Sequence, residues 1–68
     1  MKLIVNGKEV EAAPDLSVED LLKQYLESAK LDGVAVAVNG EVVPKGLWGD
    51  RVLQPDDRLE IIRAVQGG

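Results

Sequence analysis

The sequence predicts an α+β fold, in which a mixed sheet of four or five strands carries one helix on one face. Short segments typical of strands flank two Asn-Gly pairs, and one longer segment between these pairs has apolar residues at helical spacing. The 68 residues leave room for one domain. We place this domain at residues 1–65 and predict a flexible Gly-Gly tail at residues 66–68.

The first segment is predicted to be a β-hairpin. Leu3–Val5 and Lys8–Glu11 flank Asn6-Gly7, which supplies the two positive-φ positions of a type I′ turn. Ala13-Pro14-Asp15 ends the pattern, because proline cannot donate a hydrogen bond to a neighbouring strand.

A helix is predicted next. Ser17 has the position of an N-cap, and Glu19 and Asp20 follow in the first turn, where the helix dipole favours acidic side chains. Ser17 and Asp20 have the spacing of a capping box, with Asp in place of the usual Glu or Gln. Asp32-Gly33 is predicted to end the helix. The apolar stripe of the helix consists of Val18, Leu21, Leu22, Tyr25, Leu26 and Ala29.

Further strands are predicted after the helix. Val34–Val38 and Glu41–Val43 flank Asn39-Gly40, which marks a second tight turn. The remaining elements are an irregular segment with a helical turn around Trp48, a turn at Gln54–Asp57 and a last strand at Arg58–Val65.

The order of elements predicts the β-grasp, or ubiquitin-like, fold. A right-handed crossover through the helix places the last strand parallel to the first. The predicted core then lies between the helix and one sheet face. It consists of Leu3, Val5, Val10, Leu21, Leu22, Tyr25, Leu26, Val36, Val38, Leu59 and Ile61.

The composition excludes several classes of site. The chain has no His and no Cys, which excludes disulfides, thiol redox centres, structural zinc sites and Ser-His-Asp or Cys-His catalysis. A net charge of −4 argues against nucleic acid or an anionic membrane as the main partner. No glycine-rich phosphate-binding loop is present, so we expect no bound cofactor and no metal. Apolar runs of about five residues are too short to cross a bilayer, and we expect a cytoplasmic protein.

Two adjacent carboxylate pairs and one tryptophan have structural explanations. We interpret Asp56-Asp57 as solvated turn residues after a proline rather than as a hydrolytic or magnesium site. Glu19-Asp20 is explained by the helix dipole. Trp48 is expected to pack beneath the loop that contains it rather than to anchor a partner.

The sheet face opposite the helix is a candidate partner-binding surface. An exposed apolar area often marks such a surface, but antiparallel sheets also expose small apolar residues without any function. The sequence leaves both interpretations open. Strand alternation predicts an apolar area flanked by Glu60 and Arg63 and formed by Ile4, Ala35, Ala37, Ile62 and Ala64.

The strongest functional signal is Gly67-Gly68. The two glycines follow Gln66, just beyond the predicted last strand. Two residues without a Cβ can enter a narrow channel in another protein. They present a terminal carboxylate, which is a poor electrophile until it is activated. Condensation with the α-phosphate of ATP on another protein would yield an acyl-adenylate that a sulfur or amine nucleophile could attack.

Longer segments resemble the ThiS family, the sulfur carriers of thiamine biosynthesis. The resemblance is carried by Val38–Lys45, by Trp48 and by the run Asp57–Gly68, and the hairpin at Asn6-Gly7 also fits. Two departures concern Lys45-Gly46, where members often have Arg then Ser, and the acidic pair before the last strand, where many have Gly-Asp. Both place partner affinity in question more than function.

The resemblance implies a specific chemistry. Gly68 would be adenylated by an E1-like adenylyltransferase (ThiF), which uses ATP, and then converted to a thiocarboxylate with sulfur from a sulfur-donating enzyme. The thiazole synthase ThiG would accept that sulfur. Gly67 would grant access, and Ala64, Val65 and Gln66 would form the tail that enters each partner. The protein would be a co-substrate and not an enzyme, and without Cys its terminal carboxylate is the remaining candidate for carrying sulfur.

Three alternatives remain open at this point. The small subunit of molybdopterin synthase resembles this fold, ends in Gly-Gly and uses the same thiocarboxylate for another acceptor. A ubiquitin-like modifier would be conjugated to lysines. A β-grasp binding domain would use the sheet face and would not need Gly67-Gly68.

Overall fold

The fold is described from a computed structural model, which covers residues 1–26 and 33–63. The helix α1 spans Val18–Leu26, and a short 3₁₀ helix spans Lys45–Leu47. The strands are β1 (Lys2–Val5), β2 (Lys8–Glu11), β3 (Val34–Val38), β4 (Glu41–Val42) and β5 (Arg58–Arg63).

The strands form one five-stranded sheet in the order β2-β1-β5-β3-β4. β1 and β5 are parallel, with Val5 opposite Leu59, whereas the other neighbouring pairs are antiparallel. This is the predicted β-grasp arrangement. The predicted strand boundaries are accurate to one residue for β1 and β4, and residues 64 and 65 of the predicted last strand lie outside the described residues.

The start of α1 is fixed by hydrogen bonds to its first amide groups. The backbone N–H of Asp20 donates to Ser17 Oγ at 3.1 Å, which confirms Ser17 as the N-cap. The N–H groups of Val18 and Glu19 donate to the carbonyl oxygens of Arg51 and Trp48. The loop after β4 therefore satisfies amides that have no partner within the helix. Ala29 and Asp32 of the predicted helix lie outside the described residues.

Trp48 packs beneath its own loop, as predicted. It is 2% exposed, and its indole Nε1–H donates to the carbonyl oxygen of Val43 at 2.9 Å. The predicted helical turn is the 3₁₀ helix immediately before it. A large aromatic ring with a satisfied polar group thus closes one end of the core.

The core lies between α1 and the sheet. Val10 and Leu26 are only partly buried, and Tyr25 is 40% exposed, so its placement in the core was wrong. The tyrosine hydroxyl is a polar tip, and such a side chain lies at the margin of a core. The buried apolar residues are Leu3, Val5, Leu16, Val18, Leu21, Leu22, Val36, Val38, Trp48, Leu53, Leu59 and Ile61.

Candidate functional site

β5 is the strand that leads toward the predicted tail. It lies in the middle of the sheet, with β1 on one edge and β3 on the other. Pairing with β3 continues to the end of the strand, where Arg63 lies opposite Val34. The predicted tail residues Ala64, Val65, Gln66, Gly67 and Gly68 all lie outside the described residues, so the structure does not test their roles.

Asn6 holds β5 from the β1 edge as far as Ile61. Its backbone lies at φ 50° in the first Asn-Gly turn, and its N–H donates to the carbonyl oxygen of Leu59 at 2.9 Å. Its side-chain amide makes two further bonds with Ile61. The Ile61 N–H donates to Asn6 Oδ1 at 2.8 Å, and Asn6 Nδ2 donates to the Ile61 carbonyl oxygen at 3.2 Å. The side chain therefore substitutes for a paired strand residue.

Asn39 holds the start of β5, at Arg58, in a similar way. It has φ 52° in the second Asn-Gly turn, and its N–H donates to the carbonyl oxygen of Arg58 at 2.7 Å. The Arg58 N–H donates back to Asn39 Oδ1 at 3.0 Å. Asn39 thus holds the first residue of the central strand, and Asn6 holds Leu59 and Ile61 further along it. The sequence indicated both residues as turn formers, but it did not indicate these bonds.

Asp57 is a buried structural carboxylate. It is 8% exposed, and its two oxygens accept hydrogen bonds from Asn39 Nδ2 at 2.9 Å and from the Gln54 N–H at 2.8 Å. The prediction that Asp57 is solvated was therefore wrong, because the carboxylate cross-links two turns and is shielded by them. Asp56 is exposed as predicted, with Lys2 Nζ 3.6 Å from its Oδ1.

The sheet face opposite α1 carries four residues that were predicted for it, namely Ile4, Ala35, Ala37 and Ile62. Ala35 lies opposite Ile62, which is 63% exposed, and Ala37 lies opposite Glu60 on one side and Val42 on the other. The apolar area on this side consists of Ala35, Ala37, Val42 and Ile62.

Ile4 lies apart from that apolar area. Its cross-strand neighbours are Glu9 and Arg58, so the predicted single apolar surface is interrupted by charge. Glu60 lies within the face instead of at its border. Arg63 lies on the same side of the sheet as Ile61, the helix side, and does not flank the face, because successive residues of a strand point to opposite sides. Ala64 lies outside the described residues.

An open groove of about 270 Å³ lies beside β4. Val42 and Leu47 contribute exposed apolar side chains, and Glu41, Asp50 and Arg51 contribute charge. Within residues 1–26 and 33–63, no group of three or more acidic side chains is arranged to hold a metal ion. In the same part of the chain, no helix has the length and apolar character needed to cross a membrane.

Comparison with known proteins identifies the family. The chain matches the ThiS family over residues 3–68. The chain belongs to the ThiS family. The resemblance to the sulfur carriers of thiamine biosynthesis is thereby confirmed, and it favours this family over the molybdopterin synthase small subunit.

Solved structures of a ThiS-family protein have the same fold. The crystal structure of the thiamine biosynthesis protein ThiS from Geobacter metallireducens is 34% identical, with a TM-score of 0.78 and full coverage of both chains. The solution structure from the same organism gives a TM-score of 0.79 and covers 88% of that chain. The predicted α+β, β-grasp fold of this ThiS-family chain is confirmed.

Curated relatives are of two kinds. The sulfur carrier protein ThiS of Escherichia coli is 26% identical over the full length of both chains. Thiazole synthases from Paramagnetospirillum magneticum and Magnetococcus marinus are 38% and 35% identical over this whole chain. The ThiS-family chain spans only 20% of the length of each of these synthases.

Proposed function

We propose that Gly68 is the covalent site of a sulfur-carrier cycle in thiamine biosynthesis. The observation that carries this proposal is the ThiS-family match, which extends through Gly67 and Gly68. The fold supports it, because β5 is paired with β3 as far as Arg63 and is bonded to Asn6 at Ile61.

The chemistry requires activation by a second protein. A carboxylate oxygen of Gly68 attacks the α-phosphorus of ATP bound to the E1-like adenylyltransferase ThiF, and pyrophosphate leaves. A hydrosulfide ion supplied by a sulfur-donating enzyme then attacks the acyl carbon, AMP leaves, and loss of the thiol proton gives the thiocarboxylate. The chain itself is a co-substrate in this scheme, since its part is to present an electrophile that another active site creates.

Thiazole synthase is the proposed acceptor. In two relatives, a segment similar to this whole chain is part of a thiazole synthase polypeptide. Joining a carrier to its acceptor in one chain raises their effective concentration, typically to about the millimolar range for a short flexible linker. This favours ThiG as the enzyme that takes sulfur from Gly68.

The proposal is tested by reconstitution with two acceptors. The chain is incubated with ATP, ThiF and a sulfur-donating enzyme, and then with either ThiG and its small-molecule substrates or the large subunit of molybdopterin synthase and its pterin substrate. We expect thiazole to form and molybdopterin not to form. Molybdopterin formation alone would contradict the proposed acceptor, and formation of neither product would contradict the carrier function.

The sheet face is the proposed docking surface for these partners. Ile62 is 63% exposed and lies on β5, the strand that leads to residue 64, where it forms an apolar area with Ala35 and Ala37 of the neighbouring β3. A partner that receives the tail must come close to this end of β5. Apolar burial next to the tail would therefore add affinity to tail insertion.

Ile62→Ala is expected to weaken binding to ThiF roughly tenfold, because the smaller side chain buries less apolar area in the complex. Titration calorimetry measures the dissociation constant. Leu47→Ala is the matched control, since Leu47 is 52% exposed but lies on the 3₁₀ helix. Equal weakening by both variants, or none by Ile62→Ala, would exclude the face as the docking surface.

A further inference from the structure

The backbone pairing of β1 with β5 ends before β5 does. The last paired residues are Val5 and Leu59, and the chain then turns at Asn6 and Gly7, with φ 50° and 83°. Ile61 lies beyond that point on the same edge of β5. Its N–H and carbonyl groups are nevertheless both paired, because the Asn6 side chain supplies an acceptor and a donor.

The two bonds to Ile61 explain why asparagine occupies position 6. The turn needs a residue that tolerates positive φ, which Gly and Asp also do. Pairing with Ile61 additionally needs an acceptor and a donor on one short side chain, which the Asn amide offers and Gly and Asp do not. The identity of Asn6 is therefore explained by the bonds to Ile61 and not by the turn alone.

Ile61 is the last buried residue of the described strand, and Ile62 and Arg63 after it are exposed. Beyond Ile61, β5 remains paired with β3. Ala35 lies opposite Ile62, and Val34 lies opposite Arg63. On the edge of β5 that faces β1, the Asn6 side chain is bonded to the backbone of Ile61. It therefore sets the point at which β5 is released from the β1 side.

We propose that Asn6 is a positioning residue for the adenylation of Gly68. By holding both polar groups of Ile61, it keeps β5 in place on the β1 side and so keeps the carrier in its binding-competent conformation. The assignment rests on the proposed carrier function. If only a fraction of the carrier is competent when Asn6 is lost, the apparent affinity falls by that fraction, whereas turnover of the bound complex is unaffected.

Asn6→Gly and Asn39→Gly form a matched pair of variants. Both asparagines lie in Asn-Gly turns at nearly equal φ, and both bond to the backbone of β5. Glycine preserves each turn and removes only the side-chain bonds. Asn39 acts at Arg58, at the start of the strand, and it also bonds to Asp57, so its loss is expected to lower the melting temperature more.

The test is steady-state adenylation by ThiF, followed through pyrophosphate release. We expect Asn6→Gly to raise the KM for the carrier roughly five- to tenfold with kcat within about twofold, on the strength of two hydrogen bonds. Asn39→Gly is expected to leave KM within about twofold of the wild type despite its larger effect on melting temperature. Asn6→Asp keeps the acceptor for the Ile61 N–H but sets a second acceptor against the Ile61 carbonyl oxygen, so it is expected to raise KM at least as much as Asn6→Gly.

Hydrogen exchange gives a readout that does not need the partner. The Ile61 amide is expected to exchange faster in Asn6→Gly, whereas the Val43 amide, which donates to the carbonyl oxygen of Val36, keeps its protection. An unchanged KM in Asn6→Gly, or an equal rise in both glycine variants, would overturn the positioning role even though the wild type is adenylated. Absence of adenylation in the wild type would instead overturn the proposed function, and this assignment with it.

Discussion

Deletion of Gly68 is expected to abolish sulfur transfer while leaving the fold intact. The deletion preserves a glycine carboxylate but moves it back by one residue, a distance of roughly 3.3–3.6 Å in an extended chain. A misplacement of about 1 Å can already cost roughly a hundredfold in rate, so we expect the kcat/KM of adenylation to fall by at least about that factor. Exchange of labelled pyrophosphate into ATP on ThiF measures the effect.

Gly49→Ala is the control for glycine replacement elsewhere. A Cβ at Gly49 would lie 3.5 Å from Glu19 Oε1, an ordinary van der Waals distance, and this glycine lies in the loop after β4. We expect this variant to be adenylated by ThiF at the wild-type rate. Full activity after deletion of Gly68 would mean that the reactive carboxylate is not at this position, and it would favour a β-grasp domain that acts only through its sheet face.

Asp57→Asn is expected to produce the largest loss of stability among the isosteric polar changes. Both carboxylate oxygens of Asp57 accept hydrogen bonds, from Asn39 Nδ2 and from the Gln54 N–H. An amide presents one oxygen and one NH₂ group, so one of these donors would face another donor. Leaving a buried donor unpaired costs about 1–3 kcal/mol, and a bond to a charged group is stronger than a neutral one. Urea unfolding followed by tryptophan fluorescence of Trp48 measures the change.

Asp56→Asn is the control for that change. Asp56 is the exposed neighbour at φ 69°, a conformation that asparagine also tolerates, and its described ion pair is with the partly exposed Lys2. Such exposed pairs contribute about 0–1 kcal/mol. We therefore expect little change in the free energy of unfolding. Equal effects of the two substitutions would show that the burial of Asp57 has no energetic consequence.

The sequence predicted the fold well because its local signals agree with one another. Two Asn-Gly turns, one capped helix and one apolar stripe permit few arrangements, and the right-handed crossover selects the parallel pairing of β1 with β5. Burial was harder to predict at the margins of the core. Leu16 and Leu53 are buried because the loop after β4 packs over the start of α1, a tertiary contact without a periodic pattern.

The polar contacts around β5 could not be predicted from the local sequence. Asn6 and Ile61 are 55 residues apart, and Asn39 and Asp57 are 18 residues apart. A turn signal explains each asparagine on its own, so nothing in the pattern requires a second role. The sheet-face residues were placed on the correct side by alternation. Arg58 and Glu60 interrupt the predicted apolar area. Their positions depend on the register of β1 and β3 against β5, which the sequence alone did not provide.

The most direct test of the carrier function is the intact mass of the chain after incubation with ATP, ThiF and a sulfur-donating enzyme. The ThiS protein of Escherichia coli serves as the positive control. We predict a species in which one oxygen is replaced by sulfur, located at Gly68 by fragmentation and absent when Gly68 is deleted. Recovery of only the free acid, under conditions that convert the control to its thiocarboxylate, would contradict the assignment of Gly68 as the sulfur-carrying residue.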